Sequence, residues 1–210
     1  MERKVNEVSV KTAVLVVLAA VIVTIAAGLF IGNKFFWKPA ETRTILEKRF
    51  DQTAAAYKKN PKDRTAALAY AVTLYQQGNK KEADKLFSDL IKKYPKDHAV
   101  LLNYAMFKKE TGDKKAAKTA LEILLKKAPY YVLGNVQYAM ILREEGKYEE
   151  ALKRLDNALK FEPGAADILV EKAKVYIAMK KSKEAKETLT KALSFVPDYQ
   201  EAKTLLKELN

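Results

Sequence analysis

The residues able to do chemistry are few and scattered. The chain of 210 residues has one histidine, His98, and no cysteine. A Ser-His-Asp relay has only that one imidazole to draw on, and a site with several histidine ligands is impossible. Without a thiol there is no disulfide framework, thiolate metal site, covalent haem attachment, cysteine nucleophile or thiol-linked lipid. His98 follows Asp97 at an expected helix start and reads as a surface residue. Glu144, Glu145, Glu149 and Glu150 crowd one turn without the spacing of an acid/base pair. No Walker loop, GxGxxG or metal-ligand cluster occurs. No enzyme and no cofactor are expected. What remains is recognition chemistry: polarisable Met106 and Met140, tyrosines Tyr70, Tyr104 and Tyr138, and many lysines.

Lys and Arg number 39 against 26 Asp and Glu, a formal net charge of +13. The basic residues are dispersed among acids and carry no nucleic-acid motif, so nucleic acid is not an expected partner. Lysines such as Lys85, Lys118, Lys126, Lys153 and Lys186 fall on one set of helices and read as a solvated outer face. Anionic lipid head groups are the alternative contact for that face. The apolar share, 49%, is enough for a folded core.

The apolar residues are unevenly placed. Residues 13–32, AVLVVLAAVIVTIAAGLFIG, carry no charge. As a helix they would span roughly 30 Å, one hydrocarbon core. Phe35, Phe36 and Trp37 follow as an interfacial belt would, flanked by Lys34 and Lys38. The expectation is a retained single-pass anchor rather than a cleaved leader, whose apolar core would be shorter. A short tail, 1–12, would precede it and a linker, 33–40, would follow. A signal-anchor topology in the cell membrane would place the rest outside the cytoplasm. Gly28 and Gly32 form a GxxxG spacing, a weak hint of helix pairing and of an oligomer.

Beyond residue 40 the chain repeats. Pro61, Pro95, Pro129, Pro163 and Pro197 stand at a constant interval, shared by Gly78, Gly112 and Gly146 and by the three tyrosines. Ala71, Ala105, Ala139 and Ala173 keep it, as do Ala83, Ala117, Ala151 and Ala185, and Phe87, Leu121, Leu155 and Leu189. Such a period marks stacked units that bury their apolar faces only against neighbours. Each unit reads as two helices. Asp97 caps the first in the second unit, Gly112 ends it, Asp113 caps the next, and Ala128-Pro129 stops that one. The alanines let the two helices cross closely. Segments 41–60 and 199–210 flank the repeats of residues 61–198. Leu46, Phe50, Ala54 and Tyr57 would pack on the first repeat, and Ala202, Leu205 and Leu206 would cover the last.

These positions resemble the tetratricopeptide repeat family across Arg64–Asp198, in four copies of 34 residues. Departures are Ala67 and Asn135 in place of bulky apolar residues, Lys108 and Lys172 in place of apolar ones, and Lys180 in place of the turn glycine, where a less regular turn is expected. The resemblance implies an all-α, right-handed α-solenoid of four helix–turn–helix repeats with flanking helices, preceded here by one transmembrane helix. It also implies a protein- or peptide-binding scaffold with first-helix residues lining an inner groove: Leu68, Val72, Leu102, Asn103, Met106, Val136, Gln137, Met140, Val170, Glu171 and Lys174. Of the residues some members use to clamp a terminal carboxylate, only Asn103 is present. Leu68, Val72, Leu133 and Gln137 occupy other clamp positions, so no such clamp is expected. The groove should be an apolar strip centred on Leu102, Met106, Val136 and Met140. The expected function is a membrane-anchored adaptor. The alternatives are a chaperone-like assembly or translocation-associated factor, and a structural subunit of a membrane or envelope complex.

Overall fold

A computed structural model of the protein describes residues 44–209. The chain divides between Thr44 and Ile45, and the unit that begins at Ile45 is compact and is the one described here. The expected tail, anchor and linker, and the Gly28/Gly32 spacing, lie outside the described residues. Among the described residues no helix is long and apolar enough to cross a membrane.

The described residues hold ten helices and no strand. They are α1 (Ile45–Lys59), α2 (Arg64–Gln76), α3 (Lys80–Lys93), α4 (His98–Glu110), α5 (Lys114–Lys127), α6 (Val132–Glu144), α7 (Tyr148–Leu159), α8 (Ala166–Ala178), α9 (Ser182–Phe195) and α10 (Gln200–Glu208). The pairs α2/α3, α4/α5, α6/α7 and α8/α9 are the four repeats, each an A helix followed by a B helix.

Local chemistry sets the boundaries. Asp63, Asp97 and Asp113 each accept from the backbone N–H three residues on, at 2.8, 3.0 and 3.0 Å, and so satisfy donors that a helix start leaves open. α6 and α8 lack such a cap at Tyr131 and Ala165. At α6 the side chain of Asn135 steadies the entry by donating to Pro129 O at 2.8 Å and Tyr131 O at 3.1 Å. This buried Asn135 replaces a bulky apolar residue with its amide N–H groups used, while its Oδ1 is buried and makes no hydrogen bond among the described residues. Gly78, Gly112 and Gly146 close the A helices at φ of 83°, 91° and 75°. Lys180 takes the same left-handed conformation, φ 60°. Its turn is as regular as the others, with Lys180 N to Ile177 O at 2.9 Å and Lys181 N to Tyr176 O at 2.9 Å, the pattern also seen around Gly112. The expected irregularity is therefore corrected: packing on both sides holds the turn, and lysine bears the strain that glycine would avoid.

Packing follows the interval of the sequence. All eight periodic alanines are buried to 1% exposure or less, as are Phe87, Leu121, Leu155 and Leu189. Without longer side chains at the crossing, each A helix sits directly on its B helix. Lys108 and Lys172 keep their charges at the rim of this core. Lys108 Nζ lies 2.6 Å from Asp84 and 5.6 Å from the Tyr104 ring centre, and Lys172 Nζ lies 2.6 Å from Asp156. Their stems cover apolar surface while the ammonium groups stay paired.

The flanking helices close the ends. Tyr57 stacks on Tyr70 with centroids 5.3 Å apart, Phe50 lies 5.6 Å from the same ring, and the Thr53 and Thr73 hydroxyls meet at 2.6 Å. Ala202 of α10 is fully buried, and Leu205 and Leu206 pack on the core around Val170 and Leu189. Residues 45–210 therefore contain their own core from end to end. Each A helix also touches the A helix of the next repeat, α2 with α4, α4 with α6 and α6 with α8, and no comparable row joins the B helices. The A helices form the inner side of the stack.

Arg64 Nη1 donates to Asp97 Oδ2 and ties the start of α2 to the start of α4. Burial opposes the charge on Asp97, but hydrogen bonds from Val100 N–H and Arg64 outweigh it and hold the carboxyl below the ordinary aspartate value. A lowered folded value means stability that is complete above the unfolded value, near pH 4, and is lost as pH falls through the folded one. Asp97→Ala should cost about 1–2 kcal/mol near neutral pH by urea denaturation, and the gap to the parent should narrow below about pH 4.

Candidate functional site

The inner face is built from rows of A-helix residues one repeat apart. In the first row Leu68 is half-buried, but Leu102, Val136 and Val170 are 6%, 9% and 1% exposed. These three are core residues. Leu102 and Val136 belong to the central apolar cluster, and Val170 belongs to the one beneath α10. The expectation that they line the groove is corrected: successive A helices approach closely enough to shut this row between them.

The next row is the open one. Val72 and Met140 are half-buried, and Met106 is 40% exposed. Lys174 continues the row as a charge, with Nζ at 2.6 Å from both Glu171 Oε1 and Glu201 Oε1. Burial works against that ammonium, yet the two carboxylates more than offset it and raise its pKa above the ordinary lysine value. The apolar part of this row therefore ends at Met140.

Asn103, Gln137 and Glu171 form a polar row beside it. Asn103 Nδ2 donates to Ala99 O at 2.8 Å within its own helix. Gln137 Oε1 accepts from Lys109 Nζ at 2.8 Å, and the same ammonium lies 3.8 Å from Met140 Sδ and 3.8 Å from Glu110. Arg143 Nη2 is 3.7 Å from Glu171 Oε2, while Arg143 Nε and Glu171 Oε2 are buried and make no hydrogen bond among the described residues.

Lys109 and Arg143 are the inner-face residues that sequence reasoning missed. They stand two helical turns beyond Leu102 and Val136, on the same face and one repeat apart. Their equivalents, Tyr75 and Ile177, are uncharged, so no recurring charge marked the position. The outer side holds a second apolar surface. A cleft of about 440 Å³ between α3, α4 and α5 is lined by Ile91, Leu101, Tyr104, Ala116, Ala120 and Ile123. The next repeat covers the matching place with Arg154, 4.8 Å from the Tyr138 ring centre. Among the described residues no group of His, Cys, Asp and Glu could hold a metal ion.

Stacked two-helix units with an uncapped inner face define a helical-repeat scaffold. The model of the tetratricopeptide repeat matches residues 39–100 and 142–209, and a second model of the same repeat matches residues 99–129. The chain belongs to the tetratricopeptide repeat family. Solved structures share the fold. A thermophilic tetratricopeptide repeat protein from Thermus thermophilus superposes with a TM-score of 0.68 and 19% identity, over 78% of this chain and 90% of that one. YrrB, described as having an unusual peptide-binding site, gives 0.62 and 21% over 77% and 84%. MamA from Desulfovibrio magneticus RS-1 gives 0.62 and 18% over 70% and 83%. No curated protein sequence matches the chain significantly.

The two kinds of inner-face residue separate by mutation. Val170→Glu should cost at least about 3 kcal/mol, the penalty of an unpaired buried charge, whereas Met106→Glu should leave the melting temperature nearly unchanged in a thermal denaturation followed by circular dichroism.

Proposed function

We propose that the protein is a membrane-anchored scaffold that holds a polypeptide segment along the inner face of its repeats. Repeats of this family mediate protein–protein interaction and peptide binding. The observation that carries the proposal is the open row Val72, Met106 and Met140, bordered by Lys109, Gln137 and Arg143. Methionine adapts its shape to varied apolar side chains. The bordering cations and amide give a bound main chain or carboxylate somewhere to hydrogen-bond, so apolar and acidic residues should alternate along the segment. The anchor is residues 13–32, supported by their length and lack of charge. In a signal-anchor topology the repeats work outside the cytoplasm, next to the membrane that holds them.

A photo-crosslinking residue placed at Met106 in the full chain, in mild detergent, tests this. It should capture a polypeptide, and the same residue at exposed Lys153 on α7 should not. Met106→Glu with Met140→Glu should lower the recovered partner at least about tenfold, as expected when a buried apolar contact is replaced by charge. Capture from Lys153 alone, or full recovery by the double variant, would refute the inner-face site. Retention of the full chain in alkali-washed membranes, with release of a chain beginning at residue 41, checks the anchor.

A further inference from the structure

The B-helix ends and the loops after them all lie on one edge of the stack, because antiparallel helix pairs repeat in parallel. α1 ends on the same edge. Three of these ends carry lysine pairs: Lys58 and Lys59 on α1, Lys92 and Lys93 on α3, and Lys126 and Lys127 on α5. All six are exposed, and none forms an ion pair with a described residue. The opposite edge differs. There Lys114 meets Glu144 at 2.7 Å, and Lys118 and Lys147 meet Glu145 at 3.1 and 2.8 Å. The opposite edge thus pairs Lys114, Lys118 and Lys147 with Glu144 and Glu145 and leaves Lys80 and Lys81 exposed, whereas the first edge presents three exposed lysine pairs without ion-pair partners among the described residues.

The edge with the lysine pairs also carries a row of exposed apolar side chains from the third repeat onward. Tyr130, Leu133, Phe161 and Phe195 are 59%, 54%, 56% and 50% exposed. All four lie at this edge, in the loops or first helical turn that follow the B helices of the second and third repeats or at the end of α9. The Tyr130 and Phe161 rings lie 5.2 Å apart across two successive loops. Phe195 in turn sits against Gly164, where an added Cβ would meet its ring at 3.1 Å. Glu162, Asp167 and Asp198 are exposed acids beside this row, Asp198 being paired with Lys203 at 2.9 Å. Cations at helix C-termini favour the helix dipole, but that does not account for rings and aliphatic chains left in water beside them.

We propose that this edge docks on an anionic membrane surface, with the lysine pairs on lipid phosphates and carboxylates and Tyr130, Leu133, Phe161 and Phe195 at the head-group level. Lysine's compact, flexible charge suits a fluid surface that offers no fixed geometry. Aromatic side chains are at their most favourable where water meets hydrocarbon. The cleft that opens on this edge beside Tyr57, Pro61, Arg64, Lys93 and Tyr94 measures about 90 Å³, well below the several hundred Å³ of a pocket that reads a specific ligand. Among the described residues its one arginine, Arg64, is committed to Asp97, so the edge offers no free forked donor of the kind that phosphate-backbone recognition uses. The inner face takes no part, and the two proposals stand or fall separately.

Residues 41–210, which contain the self-contained core, are mixed with sedimentable vesicles of phosphatidylcholine alone or with about one third phosphatidylserine. Binding is expected only with phosphatidylserine and should weaken as salt rises. Lys126→Gln with Lys127→Gln should reduce it about thirtyfold, at roughly fivefold per surface lysine. Tyr130→Ser with Phe161→Ser should reduce it several-fold while melting and salt dependence persist. Lys80→Gln with Lys81→Gln, on the other edge, should change nothing. No binding to the anionic vesicles would overturn the proposal. So would loss of binding in the Lys80/Lys81 variant equal to that in the Lys126/Lys127 variant. Equal binding to soluble polyglutamate, indifferent to Tyr130 and Phe161, would overturn it in favour of an acidic protein partner.

Discussion

Everything in the stack depends on the close crossing of A and B helices over paired alanines. Ala139 and Ala151, one from each helix of the third repeat, are at most 1% exposed, and the same holds in every repeat. Each of these buried positions carries only a methyl group. That limit sets the distance between helices, which sets how the large residues Phe87, Leu121, Leu155 and Leu189 fill the space behind them. It also sets how the next A helix lands. Dense packing transmits such a constraint, because a core without voids cannot absorb an extra methylene locally.

The functional face follows from the same constraint. Once successive A helices are pressed together, the row containing Leu102, Val136 and Val170 is closed and becomes core. The row one turn on, with Val72, Met106 and Met140, faces outward, and Lys109, Gln137 and Arg143 border it. Toward the C-terminal end the face turns polar, as Arg143, Glu171, Lys174 and Glu201 bind one another. An inner surface that is apolar at one end and charged at the other gives a bound segment a direction as well as a place.

The interval of prolines, glycines and alanines made the repeat architecture legible, because each of those residues has one backbone or packing job and little tolerance for substitution. Asp97 and Asp113 were legible as caps for the same reason. The site was less so. Leu102 and Met106 look alike to a periodicity, since both are apolar and one turn apart. Only the tightness of the A–A contact buries one and opens the other. Lys109 and Arg143 were hidden because Tyr75 and Ile177 hold the equivalent places. At Lys180 the sequence pointed to an irregular turn, but packing of α8 on α9 enforces the left-handed conformation on a residue that does not prefer it. The anchor segment, residues 13–32, lies outside the described residues and rests on its composition.

The central claim is that the alanine crossing governs the whole domain, and Ala139→Leu tests it most directly. Measured by urea denaturation on residues 41–210, the change should cost about 1–3 kcal/mol. Met140→Leu, the adjacent change of similar volume on the open row, should cost less than about 1.5 kcal/mol. Equal stability of the Ala139→Leu variant and the parent would contradict the account, since it would mean that the helices have room to spare where the whole stack is held to be closest.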